Sequence, residues 1–235
     1  MKIRLVFDEL RSRLSEVDRR RTVAAMAVLL VLGVVATLLM SFGGGGETTD
    51  GGTDTVLDVA AVPEQVQWEL YRGVAVPYSA DGPRDRITGS GYARTPQGAV
   101  CAAMQAQVRL SMAPDESWAS TVVTVAAPGP GRDAFAAARV MASISSDADP
   151  AQTAQFVGFR VTDYSDSAAT IWLATRMPDG TLTAASSGVI WFGDDWKLAL
   201  PDPKGAAGDA ESTPLVALTS LDGYTAFGAT TGGQR

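Results

Sequence analysis

The chain has 235 residues, of which 46% are apolar and 19% charged, a balance that excludes both a disordered chain and a multi-span membrane protein. It contains no histidine and one cysteine, Cys101, which excludes an intramolecular disulfide, a metal site built on Cys clusters and the usual general base near neutral pH. The net charge of −7 is unevenly placed: residues 1–21 hold seven Lys/Arg and four Asp/Glu, while the remainder holds 12 and 22. That acidic remainder repels nucleic acid, whose phosphates need clustered Lys/Arg, so no direct nucleic-acid binding is expected of it.

The first 21 residues, MKIRLVFDELRSRLSEVDRRR, form a basic tail. Leu10, Leu14 and Val17 recur at helical spacing with charges between them. Two readings stay open, an amphipathic helix on the inner leaflet or a cytoplasmic partner, and an extension of the following helix with a solvated face. From Thr22 to Phe42 the chain reads TVAAMAVLLVLGVVATLLMSF, and no charge falls between Arg21 and Glu47. A helix of ~20 residues at ~1.5 Å rise crosses a hydrocarbon core of ~30 Å. The run exceeds the ~7–15 apolar residues of a signal peptide, and no small-residue cleavage site follows it cleanly. Arg19, Arg20 and Arg21 abut its start, so the topology signal places the tail in the cytoplasm and the rest outside. The expected location is therefore the cell membrane, with the lipid bilayer as first partner.

Residues 43–60 open on GGGGETTDGGTDT and read as a flexible linker. The Gly run is no phosphate loop, because no Gly-Lys-Ser/Thr follows it. Residues 61–203 are expected to form one extracytoplasmic α+β domain. In it, residues 62–93 read as an irregular, partly extended segment with Trp68, Leu70, Tyr71, Val74, Val76 and Tyr78 among Gly and Pro. Thr95-Pro96 then predicts a helix start, with a hydroxyl N-cap and Pro at the first position. Cys101, Met104 and Val108 form one apolar stripe of a helix running to about Ser111, which turns Cys101 inward. Pro128 to Ile144 (PGPGRDAFAAARVMASI) predicts a turn into a second helix, with Phe135, Ala138, Val140, Met141 and Ile144 on its apolar side. Gly129 and Gly131 stand before that helix, yet without the rest of a nucleotide motif they read as a turn and not as an anion site.

From Gln155 the apolar period changes to two. Runs at 155–162, 170–177, 181–192 and 196–200 are separated by Ser165-Asp166, Pro178-Asp179-Gly180 and Gly193-Asp194-Asp195, all turn chemistry. Short connections force consecutive strands to be antiparallel neighbours. The expected result is a four-stranded meander with the two helices on one face. Trp172 alternates against Ile171 and Leu173, so it falls on the other face and is the interface candidate there. Residues 204–235 are expected to form a flexible stretch and then a segment, Leu215 to Phe227, that packs back on the domain.

No catalytic constellation emerges. Serines lack a histidine base and a G-x-S-x-G elbow. Asp194 and Asp195 are adjacent in a hairpin turn and are expected to be solvated, and no D-x-D-x-D-G calcium loop is present. The expectation is a protein that is not an enzyme, with no catalytic residues, no cofactor and no metal.

The order of helices and meander, ending in VIWFGDDWKLALP (Val189 to Pro201), resembles the nuclear-transport-factor-2-like superfamily, whose last strands commonly carry an apolar-Trp-x-x-Gly-Asp-Trp-Lys-Leu hairpin. Here Trp191, Gly193, Asp195, Trp196, Lys197 and Leu198 match it. WELYRGVAVPYSADGP (Trp68 to Pro83), GYARTPQGAVCAA (Gly91 to Ala103) and SLDGYTAF (Ser220 to Phe227) resemble anchored extracytoplasmic proteins from conjugative elements of GC-rich Gram-positive bacteria. The resemblance implies helices on a curved antiparallel sheet and a layout similar to bitopic type IV secretion assembly subunits. On that footing the expected function is a scaffold of a conjugative DNA-transfer apparatus, partnered by other membrane or secretion-channel proteins or by a second copy of itself. Two alternatives stand beside it. One is an anchored small-ligand-binding or isomerase-like domain with a conical pocket. The other is an envelope-maintenance protein.

Overall fold

A computed structural model describes residues 58–203 and 215–227. Arg19, Arg20 and Arg21, the segment Thr22–Phe42 and most of the linker lie outside the described residues. No helix within them is long and apolar enough to cross a membrane.

Most of the domain is arranged around helix α1, Pro96–Met112. Its start follows the sequence expectation: the Thr95 hydroxyl accepts from the Gly98 N–H at 3.0 Å and Pro96 needs no donor. The expectation of a single apolar stripe is corrected. Sixteen of its 17 residues are buried, among them Gln105, Gln107, Arg109 and Ser111. The cause is that α1 is enclosed: the N-terminal hairpin, the four strands of the meander and the helix that follows α1 all pack against it.

Strands β1 (Gln67–Tyr71) and β2 (Val74–Tyr78) form a hairpin where an irregular segment was expected. Its two-residue turn, Arg72-Gly73, has φ of 50° and 88°. That is the left-handed pair that matches strand twist, but Arg in the first position hides the signal. The later part of that segment, 79–93, is irregular as expected. Two more helices follow α1. Helix α2, Trp118–Val125, was not expected, and its eight residues are too few for a readable period. Helix α3 covers Pro130–Arg139 and stops short of Ile144. Val140 and Met141, expected on an apolar side, are 68% and 88% exposed. Arg139 is turned inward instead, donating to Ala113 O and Asp115 Oδ1 at 3.0 Å each and ending the helix there.

The meander is as expected: β3 (Gln155–Tyr164), β4 (Ala168–Arg176), β5 (Leu182–Trp191) and β6 (Trp196–Ala199), paired antiparallel in order. Together with the helices it makes an α+β domain on a curved antiparallel sheet. Ile171, Leu173 and Thr175 face α1, while Thr170, Trp172 and Ala174 face away.

The C-terminal segment returns to this sheet and closes both its edges. Strand β7 (Val216–Leu218) pairs with the first half of β5, and β8 (Thr225–Ala226) pairs with β3. Seven residue steps reach about 24 Å, and four strand spacings of ~4.8 Å occupy about 19 Å, so the connection has little slack. It runs over the outer face. Arg160, cross-strand from Trp172, lies over the rings of both Trp172 and Tyr224, at 5.9 and 5.0 Å. Ala174 and Ala184, paired on that face, are fully buried. Phe227 then enters the core between Trp68 and Phe159, with ring centroids 5.3 and 5.2 Å away.

Phe227→Ala should therefore cost about 3 kcal/mol of unfolding free energy, in the range of buried Phe truncations. Denaturant titration followed by tryptophan fluorescence reads it. A loss under 1 kcal/mol would mean that the segment only rests on the surface.

Candidate functional site

Three groups of polar residues are buried deeply enough to be sites, and each is defined by what it holds. The first surrounds Arg109, which is 2% exposed. Its guanidinium donates to Gln105 Oε1 at 2.9 Å and to the carbonyls of Ile87 and Arg86 at 2.8 Å each, and lies 4.5 Å over the Tyr71 ring. No carboxylate pairs with it among the described residues. The cation is balanced by carbonyl dipoles and a π-face, and its bonds fix the loop 84–90 against α1. On that loop Asp85 Oδ1 accepts from the Ile87 and Thr88 N–H groups at 2.8 and 3.2 Å. Those bonds, the Thr88 contributions first, hold the Asp85 carboxyl below its usual range. Ile87 itself is 89% exposed at the tip.

The second group is the β5–β6 hairpin, where Asp195 corrects the expectation of a solvated pair. Asp194, at φ 60°, is exposed, but Asp195 is buried. Its Oδ2 accepts from the Gly91 N–H at 2.9 Å, and its Oδ1 from the N–H groups of Tyr92 and Trp196 at 2.9 and 3.0 Å. Trp196 Nε1 donates to Ala93 O at 3.0 Å. The Gly-Asp-Asp-Trp turn is thus a fastener for residues 91–93. Both of its turn positions, Gly193 and Asp194, have φ of 60°, which sends the next carboxylate inward.

The third is Cys101, 0% exposed, with Ser79 Oγ at 3.4 Å. Burial pushes its thiol up to about 12, so it is the packed residue that its helical position indicated. Near it, burial also raises the Tyr92 phenol well above its ordinary value, and Tyr92 keeps its proton for Gly89 O at 3.0 Å.

Of the remaining sequence candidates, Trp172 is half-buried under Arg160. The C-terminal segment takes up part of its face. Gly131 admits no side chain because Leu200 O abuts it; α3 begins packed on a strand end and leaves no anion cradle there. Asp115 is held at about 2 by the Ser143 hydroxyl, the Ile144 N–H and Arg139, and it ties the chain after α3 to the chain after α1. No group of three or more Cys, Asp or Glu side chains comes together among the described residues. The buried roles of Arg109 and Asp195 are not legible in the spacing of the sequence, because most of their partners are backbone atoms far along the chain.

One apolar cavity opens between the second half of α1 and the strands β2, β3 and β4. No ionisable side chain lines it.

These features define the class: an α+β domain whose buried charges brace irregular backbone. The chain belongs to the family described as a domain of unknown function, DUF8175, whose model matches residues 43–226. No curated protein and no solved structure matches it.

Asp195→Ala strands three N–H donors and should cost about 3 kcal/mol, at ~1 kcal/mol or more per charged hydrogen bond. Asp194→Asn should stay within about 0.5 kcal/mol. Equal losses in a denaturation series would remove the fastening role from Asp195. With a thiol near 12, Cys101 is thiolate in only about one part in ten thousand at pH 8. Native protein should resist iodoacetamide and react fully in guanidinium, and alkylation at the rate of a free thiol would contradict the buried placement.

Proposed function

We propose that this chain is a non-enzymatic, membrane-anchored scaffold of a conjugative, type IV secretion-like DNA-transfer apparatus, with its tail in the cytoplasm and its domain outside the membrane. The apolar run Thr22–Phe42 behind Arg19, Arg20 and Arg21 supports the anchor. An enclosed helix followed by a four-stranded meander supports a nuclear-transport-factor-2-like domain. The cavity lining, free of ionisable groups, argues against proton-transfer chemistry inside the sheet.

The observation that carries the scaffold reading is Ile87. A large apolar side chain, 89% exposed, stands on a loop whose backbone is fixed by a buried arginine and an aspartate turn. Such a residue is ordered before it meets a partner, so docking it costs little conformational entropy. Rigid apolar anchors of this kind are where binding energy concentrates. The expected partners are channel proteins of the same membrane or a second copy of this chain.

Cross-linking in the native membrane, pull-down of the full-length protein and mass spectrometry of the recovered proteins test this. Recovery of itself with conjugation ATPases or channel subunits is the expected result. Ile87→Asp should reduce that recovery about tenfold or more, equivalent to at least 1.4 kcal/mol, with the thermal midpoint unchanged. A clean monomer with no cross-linked partner would defeat the proposal. A recovery made up only of cell-wall or lipid-maintenance proteins would replace it with an envelope-maintenance role.

A further inference from the structure

Strand β1 is hydrogen-bonded on one side only. It pairs with β2 in a two-stranded sheet, and no third strand joins it among the described residues. The Arg72-Gly73 turn sets the bonding pattern. It makes Tyr71 and Val74 the first hydrogen-bonded pair, so Glu69 and Gln67 also bond β2. Trp68 and Leu70, in between, turn their N–H and C=O groups outward. Those groups meet no partner among the described residues. Leu70 is 62% exposed, and Glu69 beside it is exposed as well.

Such an edge pairs with another chain unless something blocks it, and a charge on the strand is a common block. Here that charge is cancelled. Arg86 forms an ion pair with Glu69 and lies 4.5 Å over the ring of Tyr78, whose partner Gln67 shares a face with Glu69. We infer that β1 is the pairing edge for a second copy of this chain, the two strands running antiparallel about a twofold axis at Glu69. That register is self-complementary: the outward groups of Trp68 in each copy meet those of Leu70 in the other, so all of them are used. Leu70 is set opposite the other copy's Trp68, whose ring already rests on Phe227. The two Glu69 carboxylates face each other across the axis. Like charges there would repel, but each brings its own Arg86, and the cluster has no net charge. This deepens the scaffold reading and rests on its second-copy form, since Ile87 is carried by the loop that Arg86 ties to this edge.

The test is a cysteine scan of the full chain in detergent micelles, oxidised with copper phenanthroline and read as disulfide-linked dimer on non-reducing gels. The native Cys101 is buried, so one added cysteine reports alone. The variants are Gln67→Cys, Glu69→Cys, Leu70→Cys and, as a collision control, Met141→Cys at an 88% exposed position off the hairpin. Glu69→Cys is made together with Arg86→Ala so that no lone charge stays at the axis. Residue 69 faces itself at a Cα separation of ~4.5 Å, within disulfide reach, whereas residue 70 is about 8 Å or more from its copy. Position 69 should therefore cross-link at least tenfold faster than 67, 70 or 141. Adding Leu70→Pro, which removes an outward N–H and no bond to β2, should slow it about tenfold with the thermal midpoint nearly unchanged. Leu70→Asp, which sets a carboxylate against the other copy's Trp68, should do the same if the proline variant fails to fold. Equal rates at all four positions, a faster rate at 67 or 70 than at 69, or a rate at 69 indifferent to the folded Leu70 variant would overturn the inference. The scaffold reading would survive that result if channel subunits were still recovered with the chain, so the two fail separately.

Discussion

The enclosure of α1 is the constraint on which the rest of the structure depends. A helix packed on all sides has no face on which to leave polar side chains, yet this one carries Gln105, Gln107, Arg109 and Ser111 in its second half. Each must find a partner inside, because an unpaired polar group in such a place costs kcal/mol and an unpaired charge far more. Gln105 reaches Pro77 O at 2.8 Å and so ties α1 to β2. Arg109 draws in the loop 84–90 by its carbonyls, and Gln107 reaches β5 through Ser187. The polar residues of the helix therefore determine where irregular backbone goes, and the apolar ones only that it is covered.

The same logic runs from the opposite side. Asp195, at the tip of the β5–β6 hairpin, gathers the N–H groups of residues 91 and 92, and Trp196 gathers the carbonyl of residue 93. Arg109 takes carbonyls and Asp195 takes amides, so the segment between β2 and α1 is held by a cation at one end and an anion at the other. The two charges never meet as an ion pair. Each is compensated by peptide dipoles, which hold an irregular stretch against the core without strand or helix elements of its own. The residues that carried the family resemblance in the hairpin are thus explained by structure, and a fastening role is sufficient reason for them.

The C-terminal segment shows how a sheet edge is finished. Strand β3 ends the meander on one side and β5 is half free on the other, since β6 pairs only with its last residues. A three-residue and a two-residue strand cover part of each edge, and the path between them lies over Ala174 and Ala184, small enough to leave room for a chain. Free edges invite pairing with other chains, and covering them removes that hazard. The apolar side chains that stay exposed, Ile87 and Met141 foremost, are mostly on loops and helices, with Leu70 on β1 and Val216 on β7 beside them.

By itself the sequence determined the meander, the start of α1, the inward Cys101 and the return of residues 215–227, because period-two alternation, a Thr-Pro cap and turn residues are local physical signals. The apolar run that would anchor the chain is legible in the same way, though it lies outside the described residues. The β1–β2 hairpin escaped because Arg occupies a left-handed turn position, and α2 because eight residues carry too little period. The early end of α3 and the exposure of Val140 and Met141 were decided by Arg139 reaching Ala113 and Asp115, a contact across 24 to 26 positions. Tertiary structure alone decided that Arg109 and Asp195 are buried. A side chain's partners among backbone atoms some 20 to 100 positions away leave no mark on its neighbours in sequence, so the candidate site became readable only once the chain was folded.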